Sequence, residues 1–122
     1  MKVDKTGKVL KDMVGLVDLV CDQLSPEELA KVTLHTCFGA DNFTNHNYSN
    51  FQDVYPALLK SKIKNFHLPF ASLGEGNFEE VLKCIKDNLN GKFVYLGFVS
   101  HLAKDVETPK RVAERIELAN GI

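Results

Sequence analysis

The sequence predicts an α/β fold in which about three parallel strands alternate with helices in a single domain, residues 1–122. Helical and strand-like hydrophobic periods alternate along the chain, and no repeat or domain-scale linker interrupts them. Hydrophobic residues make up 44% of the 122 residues and charged residues 25%, which is typical of a globular domain. Such alternation indicates parallel strands joined by right-handed crossovers.

The first segment has the spacing of an amphipathic helix. One apolar stripe predicts a helix from about residue 8 to 24, formed by Leu10, Met13, Val14, Val17, Val20, Cys21 and Leu24. The next four residues, Ser25-Pro26-Glu27-Glu28, contain an N-cap serine, a proline at the first helical position and a capping-box glutamate. They predict one extra helical turn.

The first strand is predicted over residues 31–39. Its residues alternate in character, so His35 and Cys37 lie on the same face. Residues 39–50 have no period and are rich in asparagine, which predicts a long loop after the strand.

Two more strands are predicted further along the chain. Residues 65–70 alternate again, with His67 and Pro69 on one face, where His67 could lie near the first strand's histidine. Residues 93–99 form an uninterrupted apolar run, which predicts a strand covered on both faces with Tyr95 in the core.

The remaining helices have recognisable starts and stops. Helical spacing returns over residues 51–59, where Pro56 is expected to bend the helix or to move its regular part towards itself. Asn77 is expected to cap a helix over residues 78–89. Thr108-Pro109 is expected to open the last helix.

Charge and cysteine usage exclude several classes of protein. Fifteen Lys and Arg residues against sixteen Asp and Glu give a net charge of -1, without the basic stripe of a nucleic-acid-binding protein. No apolar run has the length of a membrane span, and the amino terminus lacks a secretory signal. Cys21, Cys37 and Cys84 lack the spacing of a disulfide framework, so we expect free thiols and a cytoplasmic location.

The pair His35 and Cys37 is the main candidate for chemistry. Both residues stand near the carboxyl end of a predicted strand, where α/β proteins place their sites, and both residue types bind zinc. Two ligands alone do not make a zinc site, and from the spacing alone a hydrogen-bonded interior histidine with a buried cysteine is the more common explanation. His46 in the following loop is a further candidate nitrogen, although a solvated histidine explains it more simply.

Several segments, in order, resemble the catalytic barrel of cobalamin-independent methionine synthases. The first is Val32–Asn42, with the sequence Val-Thr-Leu-His-Thr-Cys-Phe-Gly-Ala-Asp-Asn. The others are Phe66-His67-Leu68-Pro69-Phe70, Gly76-Asn77-Phe78-Glu79, Tyr95-Leu96-Gly97-Phe98-Val99-Ser100, Glu107 and Arg115-Ile116-Glu117. The resemblance implies a partial (β/α) TIM-barrel-like fold, because a complete barrel takes roughly 250 residues.

The resemblance also implies a zinc-dependent methyl transfer from methyltetrahydrofolate to the thiol of homocysteine, with His35 and Cys37 as zinc ligands. The chain departs from the family pattern at other ligands. Pro69 stands where the family has a glutamate ligand, and the family's second cysteine would lie beyond Ile122. His101 lies about one position before a loop histidine of the full-length synthases.

Two functions therefore stay open, and a third has less support. The chain is either part of a methyltransferase that is inactive alone, or a noncatalytic, degenerate interaction or oligomerisation module derived from the same family. The expected partners are a complementary barrel fragment or further copies of the chain, because open strand edges invite pairing. A small doubly wound binding domain is the third possibility, although no glycine-rich phosphate loop follows any strand.

Overall fold

The computed structural model describes residues 7–36, 51–71, 77–100 and 105–121. Helices and strands alternate along these residues, as the sequence predicts. In chain order they are α1 (Lys8–Cys21), α2 (Pro26–Leu29), β1 (Thr33–His35), α3 (Phe51–Leu58), β2 (Asn65–Pro69), α4 (Phe78–Asn88), β3 (Phe93–Gly97) and α5 (Pro109–Asn120).

The three strands form one parallel sheet in the order β1-β2-β3. His35 pairs with His67 in the register of the first two strands, and His67 pairs with Tyr95 in the register of the second and third. Sheet order follows chain order in the described residues, so they contain no reversal of the kind that a doubly wound domain has.

The hydrophobic core lies between one face of the sheet and the helices. Phe66 and Leu68 of the central strand are buried there with Tyr55, Leu58 and Val81 from α3 and α4. Consecutive long helices contact one another, α1 with α3, α3 with α4 and α4 with α5. The helices therefore form a single layer over one face, and the described residues leave the opposite face uncovered.

The prediction that β3 is covered on both faces is wrong. Its side chains alternate between exposed and partly buried, and Tyr95, predicted to lie in the core, is 54% exposed. Phe93 on the same face is 63% exposed. An uninterrupted apolar run indicates that burial is favourable on both faces of a strand. It does not indicate whether another element of the same chain lies over each face.

The apolar residues of α1 form two stripes, where the sequence predicted one. Val14 and Val17 lie on the stripe that packs against the core, together with Leu10 and Cys21. Met13 and Val20, both predicted on that stripe, are 48% and 64% exposed. They lie instead on a second stripe with Val9 and Leu16. The helix also ends at Cys21, three residues before the predicted end.

The starts of the other helices mostly follow the sequence signals. The predicted capping box of Ser25 is present in α2, and Thr108 accepts a hydrogen bond from the Arg111 backbone N–H in α5. Asn77 occupies the N-cap position of α4 without a side-chain cap bond. Pro56 lies inside α3, which begins at Phe51, so of the two predicted effects of this proline the shifted helix start is wrong. Across the described ranges, no helix has the length and apolar character needed to cross a membrane.

Candidate functional site: the open face of the sheet

Three ring side chains form a row across the open face, one from each strand. They are His35, His67 and Tyr95, and all three are exposed. The ring centroids of the two histidines lie 6.4 Å apart, and those of His67 and Tyr95 lie 5.1 Å apart, both edge-to-face. The row follows from strand alternation, because paired residues in a parallel sheet point to the same face. The predicted proximity of the two histidines is confirmed.

Backbone and amide hydrogen bonds fix the first strand against the second. The Thr36 N–H donates to the carbonyl of His67 over 3.1 Å. At the other end of β1, the side-chain amide of Asn65 donates to the carbonyls of Ala30 and Val32, at 3.0 and 3.1 Å. These bonds hold the two imidazoles in a defined register on the face.

The two imidazoles fit one side of a zinc site only after a small movement. With zinc–nitrogen bonds of 2.0–2.1 Å and tetrahedral geometry, the centres of two coordinating imidazoles lie about 5 Å apart. The observed 6.4 Å between His35 and His67 exceeds this by about 1 Å, so at least one of the two side chains would have to rotate to share a zinc ion. The described residues contain no group of three or more metal-binding side chains. A third donor must therefore come from outside them.

Several predicted candidates lie outside the described residues. They are Cys37, His46 and His101. Pro69 is described and lies two residues after His67 on the same strand. Its side chain offers no donor, and its carbonyl accepts a hydrogen bond from the Tyr55 hydroxyl over 3.1 Å. Pro69 thus makes a structural contact and supplies no side-chain donor to the open face.

A cavity of about 310 Å³ adjoins His35 on the helix side of β1. Its lining is mostly apolar and comes from α1, the first strand and α3. The Thr36 hydroxyl oxygen in this lining is buried and has no hydrogen-bond partner among the described residues. The carboxyl end of β1 therefore combines an exposed imidazole with an unsatisfied hydroxyl.

A buried ion pair follows the end of β3. Arg115 of α5 pairs with Glu107 and donates to the carbonyl of Phe98 over 2.9 Å. The second Glu107 oxygen accepts the Ser100 N–H over 2.7 Å, and the guanidinium lies 5.3 Å from the centre of the Phe78 ring. The Arg115 side chain, through its hydrogen bond, lowers the pKa of Glu107. The pair fixes α5 to the segment that leaves the sheet.

The two described cysteines are free thiols away from the open face. Cys21 is the buried last residue of α1, and Cys84 is partly buried on α4. Burial raises the pKa of both thiols, with nearby carboxylates acting in the same direction. Neither is a candidate nucleophile or zinc ligand in this arrangement, since both roles require the thiolate.

The comparisons with known proteins identify no relative. No protein-family model matches the chain. No curated protein matches it, and neither does any solved structure. The structure itself defines the class as a mixed α/β protein with an open, three-stranded parallel sheet.

Proposed function

We propose that the open face is the inner, metal-binding wall of a partial (β/α) barrel that acts in methyl transfer to a thiol, as in cobalamin-independent methionine synthases. The observation that carries this proposal is the pairing of His35 with His67 on an uncovered face near the carboxyl end of β1. In barrel enzymes that end of the strands holds the active site.

In the proposed site, His35 and Cys37 hold zinc, and His67 replaces the carboxylate that the family places on the second strand. When bound, a zinc ion would lower the pKa of a substrate thiol such as that of homocysteine. The chain's own residues provide the setting. Tyr95 packs edge-on against His67, and the apolar side chain of Phe93 lies on the same face. The methyl donor would be a methyltetrahydrofolate, and the remaining barrel strands would complete its site.

The proposal includes a reducing, cytoplasmic setting. Cys21 and Cys84 are both free in the structure, and thiols persist in that compartment.

A noncatalytic interaction module is the second candidate function. Pro69 favours it, because this residue removes one donor from the strand that carries His67. A module of this kind would keep the packing of the sheet on its helices and use its open face for contact with another protein surface. Zinc binding separates the two candidates.

Cobalt(II) substitution tests the proposed donor set. Added to the purified full chain, Co²⁺ is expected to bind in a one-to-one ratio and to give a thiolate-to-cobalt charge-transfer band. Cys37→Ser should abolish that band, and His67→Ala should weaken binding by at least about 10- to 100-fold, the loss that removing a hydrogen-bond partner of a metal ligand already causes. Cys84→Ser is the matched control, because this thiol lies on α4, away from the open face.

Two results would contradict the catalytic proposal. One is the absence of any charge-transfer band in the unmodified chain. The other is a band that persists in Cys37→Ser and disappears in Cys84→Ser. Either result leaves the noncatalytic module as the better explanation.

A further inference from the structure

One end of the helix layer carries an apolar ridge on α1. Val9, Leu16 and Val20 are each 64% or more exposed, and Met13 lies between them. Asp18 lies on the opposite side of the helix, where its carboxylate accepts the Lys62 N–H over 2.8 Å. The ridge therefore faces away from the connection between α3 and β2. Met13 of the ridge lines a cavity together with Leu34 and His35 of β1, which is an edge strand among the described residues.

The other end of the layer carries an apolar groove beside α5. The groove has a volume of about 680 Å³, and its lining is mainly apolar. The apolar lining residues are Val99, Val106, Pro109, Val112, Ala113 and Ile116. Val106 is 98% exposed and lies beside the other apolar side chains of this groove, so it belongs to a contiguous apolar patch. In the described residues this groove adjoins β3, whose outer edge pairs with no strand.

We infer that two copies of this chain associate head-to-tail, with the α1 ridge of each copy seated in the α5 groove of the other. A two-fold axis parallel to the strands keeps every strand parallel and brings β1 of each copy beside β3 of its partner. One operation thus covers both apolar ends and pairs both open strand edges. The inference rests on these surfaces and holds whether or not a metal binds.

The ridge and the groove together expose more apolar surface than is usual on a monomer. Seven large hydrophobic side chains on these two surfaces are 40% or more exposed, namely Val9, Met13, Leu16, Val20, Val99, Val106 and Ile116. At roughly 70 Å² each, they leave about 500 Å² of apolar surface uncovered per copy. Patches above a few hundred Å² are rare on monomers, and the polar atoms of the paired strand edges would add to this area towards the roughly 800 Å² per partner of a standard interface. A second copy is the occupant because it supplies both the ridge and the groove.

Association also changes the open face. The row of His35, His67 and Tyr95 would face its counterpart in the second copy, inside a closed ring of six strands. Each copy then supplies two imidazoles to one interior.

Sedimentation equilibrium of the full chain at tens of micromolar tests the inference. We expect twice the mass of one chain. Leu16→Glu on the ridge and Ile116→Glu in the groove should each raise the dissociation constant of the dimer by about tenfold or more. Each substitution buries a charge in the apolar contact between ridge and groove. Lys83→Glu is the control, since this exposed residue lies on α4, away from both surfaces. Circular dichroism checks that each variant is folded, and Val9→Glu replaces any ridge variant that is not.

Mixing the variants distinguishes a ridge-to-groove contact from a symmetric one. The Leu16→Glu chain keeps an intact groove and the Ile116→Glu chain keeps an intact ridge. A dimer of one copy of each variant therefore has one ridge-to-groove contact without a substitution. We expect the mixture to associate more strongly than either variant alone. A monomeric unmodified chain, an Ile116→Glu variant that dimerises normally, or a mixture without recovery would each overturn the inference.

Discussion

Removal of Arg115 is expected to destabilise the fold more than most single substitutions do. The Arg115 side chain is 5% exposed and that of Glu107 is 4% exposed. Arg115→Met keeps much of the volume and leaves the Glu107 carboxylate buried without its cation. The carbonyl of Phe98 also loses its side-chain donor. Breaking a buried pair in this way costs about 3–5 kcal/mol, a large part of the roughly 5–15 kcal/mol of a typical domain.

The stability that the pair of Arg115 and Glu107 contributes should depend on pH in a defined direction. The folded chain lowers the pKa of Glu107 below its ordinary value of 4.5, mainly through the hydrogen bond from Arg115. The pair therefore contributes its full stability above that pH, and the contribution is lost as the pH falls through the lowered folded value. The difference in free energy of unfolding between the unmodified chain and Glu107→Gln should shrink over the same range.

Urea unfolding of four proteins measures the pair directly: the unmodified chain, Arg115→Met, Glu107→Leu and the double variant. Each single variant leaves one buried charge, whereas the double variant leaves only backbone groups without partners, at about 1–3 kcal/mol each. The double variant should therefore lose about 2 kcal/mol less than the sum of the single losses. Additive losses, or a loss below about 1 kcal/mol for Arg115→Met, would refute the reasoning.

Three further predictions concern other parts of the fold. Tyr55→Phe should lower the free energy of unfolding by about 1–3 kcal/mol, because it leaves the Pro69 carbonyl without its donor; an unchanged urea midpoint would argue against that bond. Ser25→Ala removes one half of the capping box and should cost about 0.5–2 kcal/mol by the same assay, and Ser25→Gly less. Cys21 and Cys84 should both react slowly with an alkylating agent at neutral pH, the 4%-exposed Cys21 more slowly, as peptide mass spectrometry of the labelled chain would show.

Local sequence signals determined much of the fold. The alternation of periods predicted the parallel sheet, and the cap signals at Ser25 and Thr108 marked the starts of α2 and α5. Period-two alternation also predicted that His35 and His67 share a face, because strand geometry alone decides it. These are properties of short segments, which sequence patterns report well.

The sequence could not report which surfaces remain uncovered. Tyr95 lies in an apolar run that would suit a core, yet every described long helix lies on the other side of the sheet. Met13 fits the core spacing of α1 as well as it fits the exposed stripe. Burial at such positions depends on how the elements assemble, and local spacing carries no information about it.

The buried pair of Glu107 and Arg115 could not be predicted from the sequence for a similar reason. The acidic residue lies before α5 and the basic residue lies within it, eight positions apart, so no helical spacing connects them. From the sequence alone, a charged residue at either position is expected to be solvated. Its burial results from the packing of α5 against the segment that follows β3. The resemblance to methionine synthases included both residues but assigned neither a role.

Metal content tests the central claim about the open face most directly. The chain is purified without chelator, equilibrated with zinc, dialysed and analysed by elemental mass spectrometry beside His35→Ala and Lys83→Glu. The account predicts close to one zinc per chain in the unmodified protein and in Lys83→Glu, and a small fraction of that in His35→Ala. Zinc-free protein throughout, or equal zinc in all three, would contradict a metal site built on this imidazole.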